Sequence, residues 1–392
     1  MSIYLDNAAT KEYSNFDDII VGTMTIAMRD SWQNPSSLYA TNIRNKINMC
    51  RSNVARFIGA KPDEIIYTSG GSESNCMAIQ GYVKECELKN IHPIVITSTI
   101  EHKSTKDCVD LLNVEKYLVG VNSEGFIDVD KLEKILRVTS GRGSVLVSIQ
   151  YANNEIGTIQ PIEEIARITH KHNGVLHVDA VQCIGQIPID VKMLGVDMLS
   201  ASGHKISPVL KGVGFLYKND GIDIQPIIYG SQENGLRGGT ENTFGIIGLN
   251  KAIEILGVDM GVDYNGKDVL LEKYNGLILK RDYLINRLKK EFGCKINGIM
   301  QPRLPNNVNV TFPQNISGES LLYMLDMSDI KISVGSACNS HSIKPSHVLK
   351  AIRLSDEDAM KTVRLTISEN VTYDDIDKVV DEIDKCLKIL NV

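Results

Sequence analysis

Several residues that could carry out chemistry come directly after short apolar runs of the sequence. His102 lies shortly after the run at 93–98, Asp179 follows the run at 175–178, and Lys205 lies shortly after the run at 197–200. An imidazole, a carboxylate and an amine are groups that proteins use for proton transfer and covalent catalysis. Taken one at a time, each has an ordinary structural explanation, such as helix capping or solvation. Their common placement after apolar runs is the stronger signal.

A glycine-containing segment, Thr68-Ser69-Gly70-Gly71-Ser72-Glu73, also follows an apolar run and precedes a helical pattern. Glycines let the backbone approach an anion closely, and the free N–H groups of a helix start face such an anion. The segment therefore has the outline of a phosphate cradle, although Gly-Ser turns before helices are common. We expect the helix to span 73–89, with Ser72 as its N-cap.

The apolar runs that precede these residues alternate with helical patterns between about 60 and 220, which predicts an α/β fold with a mostly parallel sheet. In such sheets, ligands bind beyond the carboxyl ends of the strands. We therefore expect the polar clusters to project from one sheet edge, including Asn153-Asn154-Glu155. The predicted strands are Glu64–Thr68, Pro93–Ser98, Ser144–Gln150, Val175–Val178, Asp197–Ser200 and Gly214–Tyr217, and a helix is predicted at Ile162–Lys171.

The pattern changes near residue 260, where a Gly- and Asp-rich loop is predicted at 257–266. The segments that follow indicate a smaller α+β domain. We predict a large domain at 15–258 and a small domain formed by 1–14 and 259–392. The elements predicted for the small domain are helices at Leu270–Phe292, Glu319–Met327 and Tyr373–Leu390, and strands at Val308–Phe312, Ile330–Val334 and Thr362–Ser368.

A phosphate cradle, a carboxylate, a lysine and a histidine able to stack on a ring together suit pyridoxal 5'-phosphate. A lysine forms a Schiff base with its aldehyde, and a carboxylate keeps its pyridine nitrogen protonated. Lys205 stands in the tight sequence Ser202-Gly203-His204-Lys205 rather than in a charge run, which favours a functional lysine over a solvated one.

Composition excludes several other classes of protein. The net charge of −6 argues against nucleic-acid binding, which requires a basic face. No apolar run approaches the roughly 20 residues of a membrane span, and the first residues lack a secretory pattern. The eight cysteines show neither a disulfide framework nor zinc-ligand spacing, so no metal site is expected. We therefore expect a cytoplasmic protein.

Cys338 differs from the other cysteines in its surroundings. It follows an apolar run and stands in Ala337-Cys338-Asn339-Ser340-His341-Ser342, a polar stretch that does not suit a buried thiol. Small polar residues favour a mobile loop, and a thiol on such a loop can travel between a substrate and an acceptor.

The sequence resembles the group I cysteine desulfurases, the NifS/IscS-like branch of the class V aminotransferases, which are fold-type I pyridoxal-phosphate enzymes. The strings that carry this resemblance, in matching order and spacing, are Tyr4–Thr10, Asn34–Ser37, Thr68–Asn75, Glu101–Lys103, Asn153–Gly157, His177–Ala180, Ser202–Lys205, Arg237–Thr240 and Gly335–Cys338.

The resemblance implies a role for each matching residue. Lys205 would bind the cofactor covalently, Asp179 would pair with the pyridine nitrogen, Gln182 would bond the ring hydroxyl, and His102 would stack on the ring and move protons. The phosphate would be held by Gly71, Ser72, Ser202 and His204. Thr240 would reach the phosphate in the other subunit of a homodimer. Asn154 and Arg364 would hold the substrate carboxylate, for which the planar fork of an arginine is suited.

The implied reaction converts L-cysteine to L-alanine. Sulfur would be left as a persulfide on Cys338 and passed to an acceptor protein, for an iron–sulfur cluster or another sulfur-containing product. The alternatives are a selenocysteine lyase or another class V lyase or aminotransferase, and a protein that retains only a sulfur-transfer scaffold. One departure from the family pattern is Glu369, which stands where many relatives carry a second arginine after Arg364.

Overall fold

The structure is a computed structural model that describes residues 2–259, 267–334 and 345–390. Its strands are β1 (Ile3–Tyr4), β2 (Ile65–Thr68), β3 (Pro93–Ser98), β4 (Glu115–Val119), β5 (Ser144–Gln150), β6 (Val175–Asp179), β7 (Met198–Ser202), β8 (Gly214–Lys218), β9 (Lys295–Ile296), β10 (Asn307–Thr311), β11 (Ile330–Lys331), β12 (Ser333–Val334) and β13 (Thr362–Thr366).

The helices alternate with these strands in the first half of the chain. They are α1 (Asn15–Asp30), α2 (Thr41–Phe57), α3 (Gly71–Leu88), α4 (Lys103–Leu111), α5 (Val129–Thr139), α6 (Ile162–Lys171), α7 (Val191–Leu194), α8 (Thr243–Asp259), α9 (Lys267–Phe292), α10 (Gly318–Met327), α11 (His347–Ala351), α12 (Asp356–Met360) and α13 (Tyr373–Leu390).

The main sheet has the strand order β2-β8-β7-β6-β5-β3-β4 among the described residues. Strands β7, β6, β5, β3 and β4 are parallel. Strand β8 is antiparallel to both β7 and β2, so β2 runs in the same direction as the parallel strands. The carboxyl ends of every strand except β8 therefore lie at one edge of the sheet.

Helices cover both faces of this sheet, as the apolar strand sequences require. Successive residues of β5 alternate between the two cores: Val145 and Val147 belong to the core under α1, α2, α5, α6 and α8, while Leu146 belongs to the core under α3 and α4. This alternation follows from the two-residue period of a strand.

A second sheet, in the order β12-β13-β10-β9, has its own core with α9, α10 and α13. The N-terminal strand β1 pairs with β11, and Leu5 lies in this second core. Asp6 forms a bridge with Thr366 of β13. The first residues of the chain are thus part of the C-terminal core, and they continue from there toward the main sheet.

The predicted mostly parallel α/β architecture is confirmed, with corrections at particular elements. Helix α3 begins at Gly71 with Gly70 as its N-cap, so the prediction of Ser72 as the cap was wrong. The predicted strand 330–334 is two strands, in different sheets. Strand β4 was not predicted. Helix α8 continues to Asp259, so the start of the loop predicted at 257–266 is helical. The remainder of that predicted loop lies outside the described residues.

Within the described ranges, no helix is long and apolar enough to cross a membrane. The same ranges contain no cluster of three or more side chains that could hold a metal ion.

The ends of β2 and β7 meet at Gly214, which pairs with both Thr68 and Ser202. A Cβ at this position would lie 2.6 Å from the Ala201 carbonyl oxygen and 2.7 Å from the Gly70 Cα. Both neighbours are backbone atoms, so the sheet edge itself would have to move.

We expect Gly214→Ala to lower the free energy of unfolding by about 1–3 kcal/mol, the usual cost of overpacking, and to weaken cofactor retention. Denaturant unfolding and the absorbance of the bound cofactor measure these effects. Gly120→Ala is the matched control, because a Cβ there meets nothing within 4 Å. Equal stability of the two variants would contradict the close approach.

Candidate active site at the carboxyl edge of the sheet

The predicted phosphate cradle lies between β2 and α3. Gly70 has a φ of 151°, outside the range that L side chains readily adopt, and an ideal Cβ on Gly71 would lie 2.5 Å from Val181 Cγ2. Ser202, at the end of β7, is buried beside this turn. The backbone angle at Gly70 and the close approach of Val181 at Gly71 therefore favour glycine at both positions. The start of an eighteen-residue helix is exposed there for an anion.

Asp179 ends β6 in the middle of the sheet and is buried. Its Oδ2 accepts a hydrogen bond of 2.7 Å from Asn75 Nδ2, and its Oδ1 accepts one of 3.0 Å from the Val181 backbone N–H. Both oxygens are thus held in a fixed plane. A carboxylate fixed in this way can still accept a further proton donor, such as a pyridine nitrogen.

His102 is the N-cap of α4, four residues after the end of β3, and its side chain is exposed. Its Nδ1 accepts a hydrogen bond from the Ser104 backbone N–H at 3.1 Å. The surrounding protein partly removes water from the ring, which lowers the pKa of His102; Asp179 opposes this effect and Lys205 adds to it.

Lys205 lies in the short turn after β7 and is half-buried. Its Nζ donates to the Ala8 carbonyl at 2.5 Å and to the Ala9 carbonyl at 2.8 Å. Burial, with a smaller contribution from Arg364, lowers the pKa of Lys205 to about 8, against the opposing attraction of Asp6 and Asp179. The amine is therefore closer to its neutral, nucleophilic form at pH 7 than a solvated lysine is.

Gln182 and His204 meet the same N-terminal segment. Gln182 Nε2 donates to the Ala8 carbonyl at 3.1 Å, so this oxygen is shared with Lys205. The ring of His204 lies 3.3 Å from the Thr10 hydroxyl through Nδ1. Burial lowers the pKa of His204 to about 4, and nearby lysines add to the effect. This histidine is therefore neutral at physiological pH.

Arg364 of β13 reaches the site from the second sheet. Its Nη2 forms a 2.7 Å ion pair with Asp6, and its Nη1 donates to the Asn154 carbonyl at 3.1 Å. Its Nε is buried and has no hydrogen-bond partner within the described part of the chain. An arginine whose buried N–H has no partner can donate that hydrogen bond to a bound carboxylate. Asn154 contacts Arg364 through its backbone rather than its side chain.

Two of the described site residues are not brought into this network. Ser72 is exposed on the first turn of α3, and Thr240 is exposed in the loop before α8. The loop of Thr240 is tied to α3 by the ion pair of Arg237 with Glu73 at 2.7 Å. Cys338 lies outside the described residues.

Glu101, next to His102, is fully buried, and no cation among the described residues pairs with it. Its Oε1 accepts from Ser98 at 2.5 Å, and no described residue bonds its Oε2. Burial, reinforced by the charge of Asp179, raises the pKa of Glu101 to about 8, although the Ser98 hydrogen bond opposes the rise. Glu101 therefore carries a proton at neutral pH.

Glu369 ion-pairs with Lys11 at 3.0 Å, and its carbonyl accepts from Lys280 at 2.9 Å. The Lys11 backbone N–H in turn donates to the His204 carbonyl. Because the side chains of this pair are partly exposed, its net energy is small, about 0–1 kcal/mol. Glu369 thus lies beside the N-terminal segment.

The site also uses residues to which the sequence assigned no role, namely Asp6, Asn75, Ser104 and the carbonyls of Ala8 and Ala9. Asp6 and Asn75 stand inside the strings Tyr4–Thr10 and Thr68–Asn75, so a signal was present but did not specify a partner. Ser104 lies just beyond a matching string and carried no signal.

Pyridoxal phosphate fits this arrangement. The cradle of Gly70 and Gly71 suits its phosphate, Asp179 suits the ring nitrogen, and the partly desolvated amine of Lys205 suits the aldehyde. Each of these groups lies at or just beyond a carboxyl strand end of the main sheet.

The proton on Glu101 gives a pH prediction. An unfolded glutamate has a pKa near 4.3, so between about pH 5 and about pH 8 the folded protein holds a proton that the unfolded chain has released, and this contribution to stability falls as the pH rises. Glu101→Gln removes this dependence. As the pH rises through this range, the free energy of unfolding of Glu101→Gln should increase relative to that of the wild type by up to about 1 kcal/mol per pH unit. Denaturant unfolding at several pH values measures this.

Glu87→Gln, on an exposed turn of α3, is the control for loss of a glutamate charge. Its stability should follow the wild-type pH curve. Parallel curves for Glu101→Gln and the wild type would show that Glu101 is ionised in the folded protein.

Comparison with known proteins identifies the family. The Aminotransferase class-V family profile matches residues 3–379. "Cysteine desulfurase IscS" of Dictyoglomus turgidum is 41% identical over 395 residues, covering 99% of this chain and 95% of that protein. A solved structure described as "NIFS-LIKE PROTEIN" has a TM-score of 0.87 at 32% identity and covers 100% of both chains. Another, "SspA in complex with cysteine", has a TM-score of 0.76 at 32% identity and covers 93% of this chain and 99% of that chain. The chain therefore belongs to the class-V aminotransferase family, whose cysteine desulfurase members are pyridoxal-phosphate-dependent.

Proposed function

We propose that the chain is a pyridoxal-phosphate-dependent cysteine desulfurase, which converts L-cysteine to L-alanine and takes up the sulfur as a persulfide on Cys338. The observation that carries this proposal is that both described ends of the segment containing Cys338 are attached beside Arg364 and the Lys205 site. The relatives named cysteine desulfurase, and the similar structure described as holding cysteine, support the same substrate.

The attachment points flank residues 335–344. On the N-terminal side, Ser333 pairs with Arg364 in the second sheet. On the C-terminal side, Ser346 Oγ donates to Glu155 Oε2 at 2.6 Å, and the His347 ring lies 2.9 Å from the Glu101 carbonyl oxygen. Cys338 is four residues beyond Val334, so the length of the chain limits the distance between their Cα atoms to about 14 Å.

The side chains of the site divide the work of the reaction. Arg364 binds the substrate carboxylate with its free Nε donor, and Asp6 and the Asn154 carbonyl fix the guanidinium plane. Bound pyridoxal phosphate supplies an electron sink for negative charge at the substrate α-carbon. Lys205 Nζ, whose pKa is lowered to about 8, removes and returns the proton of that carbon.

Sulfur transfer then requires a nucleophile. The Cys338 thiolate attacks the substrate sulfur, the bond between that sulfur and the β-carbon breaks with its electrons remaining on the carbon, and protonation of that carbon yields alanine. The persulfide passes to an acceptor protein, for an iron–sulfur cluster or another sulfur-containing product.

We expect Cys338→Ala to retain the cofactor absorbance and to lose more than about a hundredfold in the release of alanine and sulfide from L-cysteine with added reductant. The loss follows because the variant has no thiolate to accept the sulfur. Cys294→Ala, which removes a buried thiol of the second core, should retain activity and is the control. Equal turnover by Cys338→Ala and the wild type would favour an elimination-type lyase.

We further propose that the protein is a homodimer. Helix α1 packs on α8 with one side and exposes Phe16, Ile19 and Ile26 on the other, at helical spacing. Trp32 and Leu38, which follow the helix in the sequence, are exposed as well. Exposed apolar side chains that share one side of a helix are typical of interfaces. Thr240 would then complete the phosphate site of the partner, as the family resemblance implies.

Ile26→Glu should weaken the dimer at least about tenfold, because a charge would be buried in the interface. Sedimentation equilibrium measures the dissociation constant. Val138→Glu is the matched control, since Val138 is 58% exposed on α5 and Ile26 is 59% exposed on α1. If both variants dimerise like the wild type, the surface of α1 is not the interface.

A cytoplasmic location is the remaining proposal. It is supported by the cysteines within the described ranges, all seven of which are free. Free thiols persist in a reducing compartment.

A further inference from the structure

A continuous chain of hydrogen bonds joins Asp179 to His102. Asn75 Nδ2 donates to Asp179 Oδ2 at 2.7 Å and lies 2.9 Å from Ser104 Oγ, to which it also donates. Ser104 Oγ in turn lies 2.8 Å from His102 Nδ1. The chain runs from the end of β6 across α3 to the first turn of α4. It therefore connects two strand ends that are separated by β5 in the sheet.

The chemistry of the donors fixes the direction of these bonds. The Asp179 carboxylate accepts, so the nitrogen of the Asn75 amide faces it and also faces Ser104. Ser104 Oγ accepts from this amide, which leaves its single proton for His102 Nδ1. The Ser104 backbone N–H can only donate, and it also points at Nδ1. His102 Nδ1 thus receives two donors and carries no proton.

We infer that Asn75 and Ser104 are positioning residues that keep His102 neutral with its proton on Nε2, so that His102 serves as a hydrogen-bond donor and not as a general base. This inference deepens the proposed function and rests on it for the identity of the bound groups. It also separates the two roles: Lys205 moves the substrate proton, while His102 Nε2–H remains protonated and offers a donor to the cleft.

The position of His102 supports the neutral form. As the N-cap of α4, the ring lies at the positive end of a helix, which disfavours an imidazolium. A neutral imidazole at a helix N-terminus is suited to act as a donor to a developing negative charge. The charged or titratable groups that act on His102, or on which it acts, are Asp179, Lys205, Asp107, Lys103 and His347. Partial desolvation lowers the pKa of the ring, the two acids raise it, and the two lysines lower it.

Nuclear magnetic resonance of the purified full-length protein, carrying ¹⁵N-labelled imidazole rings, tests the inference directly. The His102 signals are assigned by their loss in His102→Gln. In the wild type between about pH 6 and about pH 8, Nδ1 should show the shift of an unprotonated nitrogen and Nε2 that of a protonated one. A proton on Nδ1, or an imidazolium in this range, would overturn the inference, and this readout requires only that His102→Gln folds.

Ser104→Ala should raise the pKa of His102 by about one pH unit, because the neutral ring loses a donor. Asn75→Ala should produce a smaller rise, and the double variant should match Ser104→Ala, since the two residues act through one chain. Ser104→Thr keeps the hydroxyl and should restore the wild-type value. Ser52→Ala is the matched control, because Ser52 is an exposed helical serine that bonds only its own helix in the described contacts.

An unchanged pKa in Ser104→Ala, or additive effects of the two substitutions, would overturn the assignment of Ser104 and Asn75. The spectra do not depend on turnover. A protein that shows the expected proton on Nε2 but releases no alanine from L-cysteine would therefore refute the proposed function alone.

Discussion

The Lys205 amine is partly desolvated, and the rest of the site is arranged around that constraint. Among the described residues, an ammonium in this position has the carbonyls of Ala8 and Ala9 as acceptors, and it lies near a second cation, Arg364. Two like charges in a partly desolvated cleft repel each other strongly. The repulsion favours the neutral amine, while Asp6 balances the arginine through a direct ion pair. Asp6 thus forms its ion pair with Arg364 rather than with Lys205, and the lowered pKa of Lys205 allows its amine to act as a base.

This arrangement makes the N-terminal segment part of the active site. Leu5 is buried in the second core, Asn7 Nδ2 donates to the Thr366 carbonyl at 2.9 Å, and the next two carbonyls meet Lys205. Lys11 then continues the segment with its ion pair to Glu369. The segment connects β13, which supplies Arg364, to the turn that supplies Lys205.

The sequence predicted those parts of the fold that depend on local pattern. Strands β3 and β5 are buried along almost their whole length and helix α13 has a strongly amphipathic pattern, so their predicted bounds agree with the structure. Strand β4 lies at the sheet edge, where alternate residues face solvent, and its charged sequence concealed it. The N-cap of α3 was predicted at Ser72 because serine is a preferred N-cap residue. The actual N-cap is Gly70, which adopts a backbone angle that residues with a side chain rarely adopt. The resemblance supplied the site residues, but their partners are long-range contacts: Asp6 and Arg364 are 358 residues apart, and no spacing rule connects them.

Three carboxyl groups close to the cofactor site show how local donors decide their roles. Asp179 receives an N–H on each oxygen, which compensates its burial and leaves it able to face a ring nitrogen. Glu101, equally buried, receives one hydroxyl and holds a proton, so it adds no second negative charge beside Asp179. Glu155 lies between these cases: burial raises its pKa to about 7, while Ser346 and Arg364 oppose the rise. Because Ser346 follows the segment that carries Cys338, the protonation of Glu155 is linked to the strength of a hydrogen bond at the end of that segment.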